Sequence, residues 1–417
     1  MDFPIMYSTR QTFDAPKIDD VAATVRQEIT DLKLRVSPGA RIAITAGSRG
    51  IRNIDTILKT IVILLKEMGA APFIVPAMGS HGNGTAEGQA AILNSLGINE
   101  TAMGAPVRPG AEVVRIGTSS NGFPVLVDKF AAEADGLVVV NRIKPHTEFE
   151  GPVESGLMKM MAIGLGNHEG CFQVHKQTVN YGYSKVIREI GSLVLDRLPT
   201  LFGLGIVENI HDATALIRAS LPRDFIQTET GLLQHAKRLM ARLPFEAIDL
   251  LILDEMGKNI SGTGMDTNVI GRIMFIGEKE PARPRITRIV TLGLTKASHG
   301  NAIGIGLADF TTRRVIGQLD LDAMATNAIT AMTPEKARLP IAMATDRDAV
   351  AAALNTIGAV PAHQARIVHV KNTLELDILH VSQALKQETE SHPHMAPPEK
   401  RGPLSFDAAG NIVPVAP

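Results

Sequence analysis

Four times in this chain a short apolar run ends in a polar, glycine-rich segment. RIAITA (41–46) gives way to Gly47-Ser48-Arg49-Gly50, and PFIVPA (72–77) to Met78-Gly79-Ser80-His81-Gly82-Asn83-Gly84-Thr85. GLVVVN (136–141) gives way to Arg142-Ile143-Lys144-Pro145-His146, and LLILD (250–254) to Glu255-Met256-Gly257-Lys258, with glycines continuing to Gly264. Singly, each reads as an ordinary strand-to-helix turn that uses glycine for positive φ and a polar residue as a cap. Together they carry two imidazoles and several cations. Imidazole titrates near neutrality without special tuning, so His81 and His146 are the candidate acid/base pair. Arg49 and Lys258 are among the cations that these segments place at strand ends.

A further cluster runs from Gly156 to His168 and on through Cys171 to His175. Lys159 sits there among apolar residues, where desolvation of the ammonium favours a nucleophilic or covalent role. The plainer reading is a lysine snorkelling from a helix. Gly164-x-Gly166 with Gly170 is not a GxGxxG fingerprint and follows no clear strand, which disfavours a nicotinamide-dependent dehydrogenase. His168 and His175 are seven residues apart and do not form the i, i+4 pair of a helical zinc site. Of the remaining histidines, only His299, in Ser298-His299-Gly300-Asn301, reads as a further site residue.

The elements that must position these groups follow from periodicity. Apolar runs alternate with amphipathic helical stretches at 53–68, 85–96, 183–198, 225–243, 321–331 and 347–356, the pattern of an α/β protein with largely parallel sheets. Ser120-Asn121-Gly122 between two β-like runs predicts a hairpin. In open α/β sheets ligands bind outside the carboxyl ends of the strands, where the segments above would converge if their strands are parallel neighbours. We expect an N-terminal catalytic and cofactor-binding domain over 1–245, a second α/β domain over 246–385, and a Pro-rich arm or tail over 386–417. The active site is expected in the cleft between the two domains.

Composition narrows the function classes. Forty-two Lys and Arg against 43 Asp and Glu leave a net charge of −1, so no single-signed field exists to attract nucleic acid or a membrane surface. One cysteine excludes an intramolecular disulfide framework and Cys-based metal clusters within one chain, so histidines must ligate any metal. The N-terminus has neither the basic nor the apolar region of a secretory signal, and a cytoplasmic protein is expected.

Taken in order, these segments resemble the lactate racemase family, most closely between about Arg41 and Lys176. Ser48-Arg49 matches the family's arginine-bearing segment. Gly79-Ser80-His81 with Thr85 matches the first catalytic histidine, and Pro145-His146 the second. Ser155-Gly156-Leu157-Met158-Lys159 matches the element whose lysine is joined covalently to the cofactor. His175 stands 16 residues beyond Lys159, where the family places its nickel ligand. The resemblance implies a nickel-pincer nucleotide (Ni(II) pyridinium-3-thioamide-5-thiocarboxylic acid mononucleotide) on Lys159, ligated by His175, with Ser48, Gly79 and Gly164 also at the cofactor. It implies racemisation or epimerisation of 2-hydroxy carboxylic acids by reversible hydride transfer, because the Cα–H beside a carboxylate is too weakly acidic for a histidine to remove. One histidine then serves the hydroxyl of each enantiomer. Implied partners are the small acid and the proteins that build the cofactor and insert nickel; a homo-oligomer is compatible with the sequence.

There are departures. The family's aspartate three residues before the arginine is Ala46 here, and the interval from His146 to Lys159 is longer than usual. In the second domain the family's Gln and Lys are missing from 266–272, where Arg272, or Lys258 nearby, could supply a cation. These changes leave the acid itself open: an aldonate-type sugar-acid epimerase on the same cofactor is a close alternative, and a non-catalytic cofactor-binding protein a more distant one.

Overall fold

The computed structural model describes residues 2–415, in two compact units. One comprises residues 14–240; the other joins the residues up to Phe13 to those from Ala241 onward. The first strand, β1 (Ile5–Arg10), therefore belongs with the C-terminal half.

Within 14–240 the apolar runs form a five-stranded sheet. Its strands are β2 (Arg41–Ala46), β3 (Ala71–Pro76), β6 (Gly136–Arg142), β7 (Thr200–Glu208) and β8 (Thr214–Ser220), in the order β3-β2-β6-β7-β8. All pairs are parallel except β7 with β8. The intervening β4 (Val113–Thr118) and β5 (Pro124–Asp128) make a separate antiparallel hairpin around Ser120-Asn121-Gly122. In β2 and β3 every residue but the first is buried, the signature of a parallel sheet covered on both faces. On one face Ile42, Ile44, Val138, Val140 and Phe202 pack with Ile57, Ile61 and Leu65 from helix α2 (Ile54–Glu67) and Val25 and Ile29 from α1 (Val21–Asp31). The buried Thr45 hydroxyl is satisfied by the Val140 amide at 2.9 Å. The chain steps from β2 outward to β3 and then returns to the other side of β2 as β6. The carboxyl ends of these three strands therefore flank a topological switch point.

The remaining helices of this unit longer than four residues are α3 (Ala86–Ser95), α4 (Leu157–Ala162), α5 (Asn167–Tyr181), α6 (Tyr183–Arg197) and α7 (Phe225–Leu239). Asn167 opens α5 at φ +48°, and its amide is fixed by Asp128 at 3.0 Å and Gln89 at 3.2 Å.

The other unit is built on an eight-stranded sheet. Its strands are β9 (Ala247–Leu253), β10 (Arg285–Thr291), β11 (Phe310–Thr312), β12 (Ile341–Met343), β13 (Ile367–Val370), β14 (Ile378–Ser382), β15 (Glu399–Pro403) and β1. The order is β12-β11-β10-β9-β13-β14-β1-β15, parallel through β13 and antiparallel beyond. Both units are thus α/β with largely parallel sheets. No helix of the described residues is long and apolar enough to cross a membrane.

Two boundaries differ from the sequence reading. Residues 2–13 were expected in the N-terminal domain, but β1 lies between β14 and β15, pairing Met6 with Ser382 and with Gly402. The segment beyond 386, expected as an arm or tail, supplies edge strand β15 and buries Leu404, Ile412 and Val415. Proline is tolerated on an edge strand, where one face of the backbone needs no ladder partner. Removing residues 399–417 deletes those three side chains and with them the burial that each contributes, about 1.5–3 kcal/mol each. We expect unfolding of this unit to lose at least about 4 kcal/mol in urea titrations. An unchanged midpoint would show that the tail contributes nothing.

Candidate active site

At the switch point of the 14–240 unit lies a cavity of about 230 Å³. After β2 come Gly47, Ser48 and Arg49, and after β3 come Met78, Gly79, Ser80 and His81. Asn141 comes from the end of β6, Lys159 from α4, and Cys171 and His175 from α5. Three of the four polar segments singled out by pattern thus meet here or, for His146, at the neighbouring Lys159.

The turn after β3 depends on Gly79, whose φ is +58° and whose amide donates to Gly164 O at 3.1 Å. A Cβ on Gly79 would lie 3.2 Å from Cys171 Sγ, and one on Gly164 2.7 Å from Ala77 O. These two glycines let the β3 turn and the turn after α4 close on each other. The turn carries His81 to Ser48, whose hydroxyl is hydrogen-bonded to Nδ1 of the imidazole. Arg49 makes no hydrogen bond or ion pair with any described residue. Partial desolvation, and secondarily Arg142, lower its pKa. Arg142 is itself paired with Glu208. An unpaired guanidinium beside an imidazole is a site for an anion.

His146 is held by backbone contacts. Its amide donates to Glu154 Oε2 at 2.8 Å, and the Glu148 amide donates to its Nδ1 at 3.1 Å. Glu154 is fully buried and is also met by the Gly151 amide at 3.1 Å and Lys237 Nζ at 2.7 Å. Nε2 of His146 contacts Lys159 Nζ. Burial is the main cause that lowers the Lys159 pKa to about 8, with Arg49 adding to it and Glu148 opposing it. The uncharged, nucleophilic form of this amine is therefore more accessible near neutral pH than for an ordinary lysine, although the ammonium still predominates.

Helix α4 is fixed at its N-terminus by Glu229 of α7, whose Oε2 accepts from the Met158 amide at 2.9 Å. Gly156 is required beside it, because a Cβ there would lie 2.3 Å from Glu229 Oε1. On α5, Cys171 and His175 are four residues apart and both reach the cavity. His175 Nδ1 lies 3.0 Å from the Tyr183 hydroxyl, which donates to Glu148 Oε2 at 2.8 Å. Burial depresses the His175 pKa to about 4, so the ring is neutral at physiological pH. Burial and Glu148 push the Tyr183 phenol well above its usual range.

Other candidates are placed elsewhere. His168 is exposed and packs against Gly84, outside the cavity. In the other unit Lys258 Nζ donates to Gly262 O at 2.9 Å and Asn327 Oδ1 at 3.2 Å. Arg272 is bound to Asp309 at 3.0 Å and to the Leu307 and Ile286 carbonyls, at the amino-terminal side of β10 and β11. Its guanidinium is committed to holding that edge of the sheet together. Sequence reasoning passed over Glu148, Glu154, Tyr183 and Glu229, and it gave Cys171 no role. Among the described residues no three His, Cys, Asp or Glu side chains gather as a metal site.

Residues 19–185 match the family model described as the lactate racemase N-terminal domain. Among solved structures, the chain is similar to the lactate racemase apoprotein from Thermoanaerobacterium thermosaccharolyticum, at 12% identity and a TM-score of 0.46, over 80% of this chain and 93% of that one. No curated protein matches the chain.

The buried carboxylate of Glu229 gives the site a pH signature. Burial raises its pKa to about 7, so the folded chain keeps a proton that the unfolded chain releases near pH 4.5. Stability therefore falls as pH rises from about 4.5 to 7. Asp128, raised to about 6 by burial, acts in the same direction. Glu229→Gln is expected to flatten, without abolishing, the loss of stability between pH 5 and pH 7.5 in urea titrations. An unaltered slope would exclude Glu229 as its source.

Proposed function

On the premise that residues 19–185 are a lactate racemase N-terminal domain, we propose that this protein is a racemase or epimerase of 2-hydroxy carboxylic acids. On this reading it works with a lysine-tethered nickel-pincer nucleotide. The observation that carries the reading is the meeting of Lys159, His175, His81 and an unpaired Arg49 at one cavity.

The donor set suits that cofactor. A single imidazole cannot hold nickel alone, so the other ligands must come with the bound group, as a pincer supplies them. Lys159 offers a buried amine of lowered pKa for a covalent bond to the cofactor. His175 is neutral, as a ligating imidazole must be. Ser48, Gly79 and Gly164 form the walls against which the group would lie. When bound, the cofactor supplies an electrophilic carbon able to accept and return a hydride.

The chain's own part is binding and proton transfer. Arg49 holds the substrate carboxylate, paying little reorganisation because no intramolecular carboxylate has to be displaced. His81, oriented by Ser48, accepts the hydroxyl proton of one enantiomer, and His146, anchored through Glu154, accepts it from the other. In either direction the two rings share one proton between them: the neutral ring takes the substrate's hydroxyl proton, and the other, as imidazolium, gives a proton to the product's hydroxyl oxygen. Two bases are what stereochemical inversion requires, and a protein that only stored the cofactor would need neither. Lys258 and Arg272 are proposed as further carboxylate contacts on sequence grounds alone; the commitment of Arg272 to Asp309 makes it the weaker of the two.

With cofactor-loaded protein, His175→Ala is expected to lose most of its nickel. His81→Ala and His146→Ala are expected to keep the metal and lose at least about 100-fold in turnover. Nickel content is read by elemental analysis, and turnover as loss of optical rotation across lactate, longer 2-hydroxy acids and aldonates. Full metal retention in His175→Ala would sink the ligand assignment. Inertness of the loaded wild type towards every acid would sink the racemase reading.

A further inference from the structure

Tyr183 is fully buried at the first residue of α6, and its hydroxyl meets Glu148 and His175, with the Thr178 hydroxyl also in hydrogen-bonding reach. The phenol donates to Glu148 Oε2 at 2.8 Å, and His175 Nδ1 lies 3.0 Å from the same phenol oxygen. A phenol has one proton to give. With that proton directed to Glu148, the contact to His175 is a hydrogen bond only if Nδ1–H is the donor and the phenol oxygen the acceptor. A neutral imidazole protonated on Nδ1 keeps its lone pair on Nε2.

We propose that Glu148 and Tyr183 are positioning residues that hold His175 as its Nδ1–H tautomer, leaving Nε2 as the nitrogen that can ligate a metal. The packing supports a fixed direction for this relay. The Tyr183 ring stacks on Phe149 with centroids 5.0 Å apart and planes 7° apart, and His175 meets it edge-on at 78°. Thr178 Oγ1 donates to the His175 carbonyl at 2.8 Å, tying down the backbone of the same helical turn.

The proposal rests on the reading of His175 as the nickel ligand, and the test separates the two. Long-range proton–nitrogen spectra of the cofactor-free full chain, labelled with ¹⁵N at histidine, report the tautomer directly at pH 7.5. The His175 signals are assigned by their disappearance in His175→Gln. The Nδ1–H pattern is expected for wild-type His175, and an Nε2–H pattern overturns the proposal without recourse to any variant. Glu148→Ala frees the Tyr183 proton to turn toward Nδ1 and is expected to move His175 to Nε2–H. Glu148→Gln keeps an acceptor oxygen and is expected to leave the tautomer as it was. Nickel retained by cofactor-loaded Glu148→Ala should drop about 10-fold or more, as for loss of a residue that orients a metal ligand, with Glu148→Gln near wild type. An unchanged tautomer in Glu148→Ala overturns the proposal. Full nickel retention in His175→Ala, with the tautomer as expected, overturns instead the ligand reading beneath it.

Discussion

A carboxylate removed from water must be met by donors or it destabilises the fold, and the segment from Ile143 to Lys159 is folded around that requirement. Glu148, Glu154 and Glu229 are all buried, and each is answered by something that carries the candidate site. Glu154 is met by the amides of His146 and Gly151 and so shapes the loop that presents the imidazole. Glu229 meets the Met158 amide at the first turn of the helix that presents Lys159. Glu148 meets the Tyr183 phenol, which stands against His175. Three carboxylates thus place an imidazole, an amine and a second imidazole. None of the three lines the cavity itself, so its chemistry is left to the neutral and cationic groups.

The parts of this arrangement that were legible in the sequence are those governed by local pattern. RIAITA, PFIVPA and GLVVVN announce parallel strands because both their faces are apolar, and the residues after them are legible as site candidates because they follow strand ends. Helix boundaries at Ile54–Glu67, Ala86–Ser95 and Tyr183–Arg197 fall close to those set by periodicity and glycine. What escaped depends on partners distant in sequence. Glu229 looks like one more polar residue on an amphipathic helix until α7 is laid beside α4, 71 residues away. Tyr183 looks like the first residue of a helix, and only the fold shows that its hydroxyl is enclosed. Strands β7 and β8, which complete the sheet, were passed over because glycine and polar residues interrupt their apolar runs. Counting showed only that the lone cysteine makes no disulfide, although its i, i+4 relation to His175 was there to be read.

Lys258 and Arg272 teach a different lesson. Both are cations in plausible surroundings, yet one donates to Gly262 and Asn327 and the other to Asp309 and two carbonyls. Arg49 differs from them in having no partner of its own. A sequence lists cations without saying which already have protein partners, and only the fold separates those that must give one up to bind an anion from those that need not.

The pairing of β1 also has a consequence for the order in which the protein is made. Met6 is bonded beside Ser382 and Gly402, so the first strand emerges from the ribosome with neither neighbour in existence and must wait for nearly the whole chain. Residues 14–240, by contrast, contain every strand of their own sheet and every group that lines the cavity. Synthesis from the N-terminus therefore delivers every strand of the site-bearing unit before seven of the eight strands of the other sheet exist.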